Sequence, residues 1–285
     1  MTDFSPVAAA FEGLRVIRRE PRAVFSWVGV WMAALVVIGA LEVFTTPRAF
    51  GARPPTSTLV ALVHRFGPLW PILVATLLVL WIMTTATVFR AVLRPDEHGW
   101  HLFKLGRDET LLAAITAAGS LLLVVFGSGP ALVLFVLVKP VLAVVPALGR
   151  WIVAIGTVAT LCLEFWIAVR LSLAPVHTFA EGRFHVVGYW RLTGKHFWGL
   201  LLSYLIVVVE ICVFLLALGL VVLVFGWIGA SIGAPHGLDL LKRASLLGLV
   251  LVAAVLSAVF FVAPLTLVCA CQASAYRAIT SPQAA

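Results

Sequence analysis

Residues 69–95 read LWPILVATLLVLWIMTTATVFRAVLRP, a predominantly apolar run that meets its first charge at Arg90 and closes with Arg94 and Pro95. A helix of about 20 apolar residues rises roughly 30 Å, the thickness of a bilayer's hydrocarbon core. This stretch predicts a membrane-spanning helix whose arginine reaches the headgroup layer and whose proline stops the helical ladder.

The same ending recurs. Arg170 to Pro175 lies in VRLSLAP and Arg277 to Pro282 in YRAITSP, each after another long apolar run. After the first two endings the chain turns polar and aromatic before plunging into the next run. Self-similarity at long spacing marks a repeat architecture. We read one hairpin unit used three times, in residues 1–95, 96–175 and 176–285 of a single membrane domain covering 1–285.

Composition agrees. The chain has 285 residues, of which 62% are hydrophobic and 11% charged, with a mean hydropathy of +1.12. Soluble domains run at about 45–50% apolar, so water cannot be the main solvent here. The expected fold is therefore all-α, a polytopic bundle of six transmembrane helices. The spans are Ala23 to Val43, Leu69 to Val92, Leu111 to Val138, Trp151 to Leu173, Phe197 to Ile228 and Leu246 to Ala275. The third contains Gly127-Ser128-Gly129-Pro130, which fits either one kinked helix or a helix plus a re-entrant piece.

The net charge of +8 is spread over short segments between the apolar runs, a pattern suited to anionic lipid headgroups rather than nucleic acid. With the N-terminus inside, 13 of the 20 lysines and arginines fall on the inner side, so the positive-inside rule places both termini in the cytoplasm. The expected location is a bacterial inner membrane, crossed several times. Val7, Phe11 and Leu14 share a helical face, and residues 99–104 and 184–191 mix aromatic, histidine and basic residues. We expect these three segments to form an interfacial cytoplasmic belt, with Arg90, Arg170, Arg277, Arg183, Arg191 and Lys195 as its basic groups.

Ionisable groups within apolar runs are costly to insert and so are candidates for function. Glu210 lies near the expected midplane and Glu164 nearer the inner interface, while Glu42 falls at the external end of its helix. Glu210 and Glu164 fit a proton, cation or substrate path; they equally fit carboxyls hydrogen-bonded between helices. His98 and His101 would share a helical face, yet two histidines without a third ligand make only a weak metal site. The four cysteines, in apolar runs and without C-x-x-C spacing, read as small core residues. Zinc-protease, serine–histidine, paired-aspartate and phosphate-loop signatures are all missing, so the sequence implies no cofactor and leans away from an enzyme.

A basic amphipathic entry segment, hairpins returning at R-x-x-x-x-P, and the linker RLTGKHFWGLL (residues 191–201) occur here in one order. In this the chain resembles bacterial six-helix inner-membrane proteins of the YciC type and the membrane domain attached to some glycerophosphodiester phosphodiesterases. The resemblance implies a polytopic helical fold. It does not carry over the phosphodiesterase activity, because no extramembrane stretch is long enough for that catalytic domain. Three functions stay open: a transporter or lipid-handling protein, a non-catalytic scaffold or assembly factor that engages lipids, a protein partner or its own copies, and an interfacial lipid enzyme.

Overall fold

The computed structural model describes residues 4–45, 70–95, 106–183, 186–231 and 239–281. The described residues form helices α1 (Pro6–Ala10), α2 (Glu12–Arg19), α3 (Pro21–Thr45), α4 (Trp70–Leu93) and α5 (Arg107–Val144). They continue with α6 (Pro146–Leu171), α7 (Ala174–Glu181), α8 (Val186–Lys195), α9 (Phe197–Ser231) and α10 (Asp239–Thr280). No strand occurs among them.

Six of these helices, α3, α4, α5, α6, α9 and α10, are long and apolar enough to cross a membrane. Their outward faces carry large apolar side chains, such as Ile155, Leu216 and Leu223, at two-thirds exposure or more. Only a hydrocarbon solvent accepts a continuous surface of that kind. The chain is thus built as an all-helical, multi-span protein.

The bundle is organised around α10. Within the spanning windows 44% of α10 and 39% of α4 are buried, against 6% of α9, so α10 and α4 are the centre and α9 the rim. Helices α2, α3, α4 and α9 all pack on α10, and α3 packs more extensively on α10 than on α4. The reason lies in the stretch Cys269-Ala270-Cys271-Gln272-Ala273-Ser274-Ala275, whose small side chains let neighbouring backbones come close. Gly13 of α2 meets α10 in the same way: a Cβ there would lie 2.7 Å from the Leu267 Cα. Trp31 stacks on Phe261 with centroids 5.3 Å apart and donates its indole N–H to Thr84 Oγ1 at 3.0 Å, tying α3 to both central helices.

Several expectations are refined. Helix α5 runs without interruption through Gly127-Ser128-Gly129-Pro130, so the third span is one helix rather than a helix plus a re-entrant piece. Val145 alone separates α5 from α6, with φ −132° and ψ 82°, the extended backbone that a following proline imposes. Pro175 does not end a helix but sits in the first turn of α7, where its missing N–H costs nothing. In α1 and α2 the Val7, Phe11 and Leu14 face is exposed, while Ala9, Ala10, Glu12, Gly13 and Val16 are buried against the bundle. Cys269 and Cys271 are core residues as expected; Cys162 and Cys212 are exposed on outer helix faces and are not.

Gly13→Leu should force α2 away from Leu267 and destabilise the protein by about 1–3 kcal/mol. Thermal unfolding in detergent measures this, with the exposed Leu14→Ala as the control expected to change little.

Candidate functional site

The C-terminal ends of α4 and α10, together with α7, which follows the end of α6, gather at one end of the bundle. Arg277 Nη1 donates to the Val92 carbonyl at 3.2 Å, and the His177 and Tyr276 rings meet edge to face at 5.7 Å. Arg90 forms an ion pair with Glu109, at the start of α5, and lies 5.6 Å over the Phe179 ring. Glu109 Oε2 also accepts the Gly106 N–H at 2.8 Å, so one carboxylate caps α5 and neutralises α4. Arg94 reaches Asp108 at 3.9 Å and also lies 5.6 Å from the centre of the Phe179 ring. His177 Nε2 stands 3.2 Å from Glu181.

Arg170 is held differently. Its guanidinium lies against both the Trp166 and Trp190 rings, 5.3 and 5.4 Å from their centroids, where the two indoles meet edge to face, and donates to the Trp190 carbonyl at 3.1 Å. A Cβ on Gly194 would approach Arg170 Nη1 to 2.5 Å, so glycine there makes room for the guanidinium. Arg90, Arg170 and Arg277 are thus all engaged in contacts within the protein. By contrast Arg183, Arg191 and Lys195 are exposed at this end.

Outward from the arginines a cavity of about 580 Å³ opens between α4, α5, α6, α9 and α10. This falls within the range of about 300–1,000 Å³ usual for small-ligand sites. Its polar groups, Thr85, Thr116, Ser120, Ser172 and Gln272, contrast with the large apolar walls from Trp81, Leu123, Leu215, Phe260 and Phe261. Thr85 and Gln272 each lie five residues inside the arginine of their helix, about 8 Å at 1.5 Å per residue, whereas Phe260 is about 25 Å from Arg277. Most of the cavity's few polar groups, Thr85, Ser172 and Gln272 among them, therefore lie toward the arginine end, and its wall is otherwise apolar. Trp81, Ser120, Phe260 and Phe261 are exposed, which puts the mouth on the hydrocarbon-facing side of the bundle. Pro264, inside α10, lines the cavity and has no N–H to give to the Phe260 carbonyl, leaving the helix without that bond.

The two glutamates singled out by the sequence lie elsewhere. Neither Glu210 nor Glu164 lines the cavity, although Ile211, next to Glu210, does. Both Glu210 carboxyl oxygens are buried without a hydrogen-bond partner, and Glu164 is half-buried. The side chain of Glu42 and the residues His98 and His101 lie outside what is described, so their roles receive no structural account. Among the described residues no group of three His, Cys, Asp or Glu could hold a metal ion.

Sequence reasoning missed Asp108, Glu109 and the cavity. The capping spacing Gly106-x-x-Glu109 ahead of an apolar run was the available signal for the first two. Pro264 within an otherwise helical run was the signal for the third. Comparison with protein-family models, curated proteins and solved structures returned no match.

Glu109→Ala leaves the Arg90 guanidinium buried and unpaired and should destabilise by about 3–5 kcal/mol. Arg90→Met combined with Glu109→Leu should recover most of that loss in a double-mutant cycle read by thermal unfolding. Glu210→Leu removes a buried carboxyl that has no partner and should raise stability by about 1–3 kcal/mol in the same assay.

Proposed function

We propose that this chain is a lipid-handling membrane protein that admits the acyl chain of a membrane amphiphile into the cavity between α4, α5, α6, α9 and α10. The observation that carries this reading is the cavity itself, apolar along most of its wall, with most of its few polar groups toward one end, and open toward hydrocarbon. An acyl chain meets apolar contacts along such a wall at no desolvation cost, while an ion would meet no charged side chain there among the described residues. This favours lipid handling over an ion path through Glu210 and Glu164.

The arrangement in the membrane belongs to the same proposal. It comprises three tandem hairpins, a cytoplasmic belt that includes α1, α2 and α8, both termini in the cytoplasm, a bacterial inner membrane, and kinship with the YciC-type proteins. The spacing of the R-x-x-x-x-P endings supports the repeats. So do the parallel contacts from Arg90 to Glu109 and from Arg170 to Trp190, each reaching about one linker ahead. A scaffold that docks on anionic headgroups is the second reading, favoured by the exposed Arg183, Arg191 and Lys195.

Gly119 supplies the test. It lines the cavity, and a Cβ built there meets nothing within 4 Å, so a larger side chain can enter the space without a clash at its root. Gly119→Phe should weaken binding of an oleoyl-chain probe by at least about tenfold while leaving thermal stability unchanged. Equal probe binding by the variant and the parent protein would refute the proposal.

A further inference from the structure

We infer that the amphiphile taken into the cavity has an uncharged, alcohol-bearing head, which it places between Thr116, Ser172 and Gln272. This rests on the cavity being an acyl-chain site and goes on to name the class of ligand.

The first reason is what the wall lacks. Among the described residues no lysine, arginine, histidine, aspartate or glutamate lines the cavity. A phosphate or carboxylate drawn inside would lose its hydration without meeting a countercharge, and the desolvation penalty is large. The second reason is what the wall offers. Ser172 Oγ donates to the Val169 carbonyl and sits beside the buried Tyr204 hydroxyl, whereas the side chains of Thr116, Ser120 and Gln272 make no hydrogen bond among the described residues. Hydroxyl and amide groups that both donate and accept match a head of alcohols.

The third reason is that the nearby cations are already engaged. Arg90 pairs with Glu109 and Arg94 with Asp108; Arg170 and Arg277 donate to backbone carbonyls. Among the described residues two buried guanidinium nitrogens, Arg90 Nη1 and Arg170 Nε, lack partners, and neither residue reaches the cavity wall. These four charges are met within the protein, and Arg183, Arg191 and Lys195, exposed at the same end, do not line the cavity. The placement of the cavity's polar groups sets the direction: the head lies within about 10 Å of the arginine layer and the chain runs outward past Leu123 to Phe260.

Two probes with one acyl chain separate the possibilities: monooleoylglycerol, and the corresponding oleoyl lysophosphatidic acid, which adds only a phosphate. Titration of the full-length purified protein in detergent, read by native mass spectrometry, should show monooleoylglycerol binding at least about tenfold tighter. Gln272→Leu together with Thr116→Val should abolish that preference while leaving the fold intact by thermal unfolding. Equal or tighter binding of the lysophosphatidic acid, displaced by Gly119→Phe, would overturn the neutral head but leave the acyl-chain cavity standing. Retention of the preference in the double variant would also overturn it. Binding of neither probe, or binding indifferent to Gly119→Phe, would remove the cavity proposal itself.

Discussion

Helices in hydrocarbon gain nothing from hiding apolar surface, because lipid tails are as apolar as leucine; close contact has to hold them together. In this protein that contact is concentrated on one helix. The segment from Cys269 to Ala275 presents almost no bulk, and Ala270, Cys271, Ala273 and Ala275 are completely covered by neighbouring helices. Gly13 carries the same economy of volume to the opposing surface at Leu267. The cavity begins where this packing stops. Past Pro264 toward the apolar end, α10 presents Phe260 and Phe261, and its neighbours no longer close around it.

The arginine end is held by a different force. Within a medium of low dielectric, a guanidinium without a partner is expensive, and each of the three helix-ending arginines finds its own solution. Arg90 takes a carboxylate and a phenyl face, Arg170 two indoles and a carbonyl, and Arg277 a carbonyl of α4. Because these contacts join different helices, they lock the ends of the bundle while its middle stays apolar and open.

Much of this was readable in the residues. Runs such as Leu69 to Val92 fix helix type and span number because length and hydropathy alone decide both. The arginine endings marked real structural positions for the same local reason. Which helix packs on which was not readable, since every span shows an apolar face and hydropathy does not distinguish lipid from protein as the covering. That is why Cys162 and Cys212 were misjudged as core while Cys269 and Cys271 were not. Glu210 attracted interest through its charge, yet the cavity's few polar groups are threonine, serine and glutamine, whose modest polarity gives no signal in a run of leucine and valine.

The single residue between α5 and α6 has a mechanical consequence. Val145 leaves these two helices no slack at the end where they join, and they pack on each other along their length. Together they supply one jamb of the opening, from Thr116 and Gly119 on one helix to Ala168 and Leu171 on the other. The extensive contact between the two helices resists spreading of this jamb. Any widening to accommodate a bulkier guest has to come from the opposite post, where α9 is sparsely covered and α10 is interrupted at Pro264.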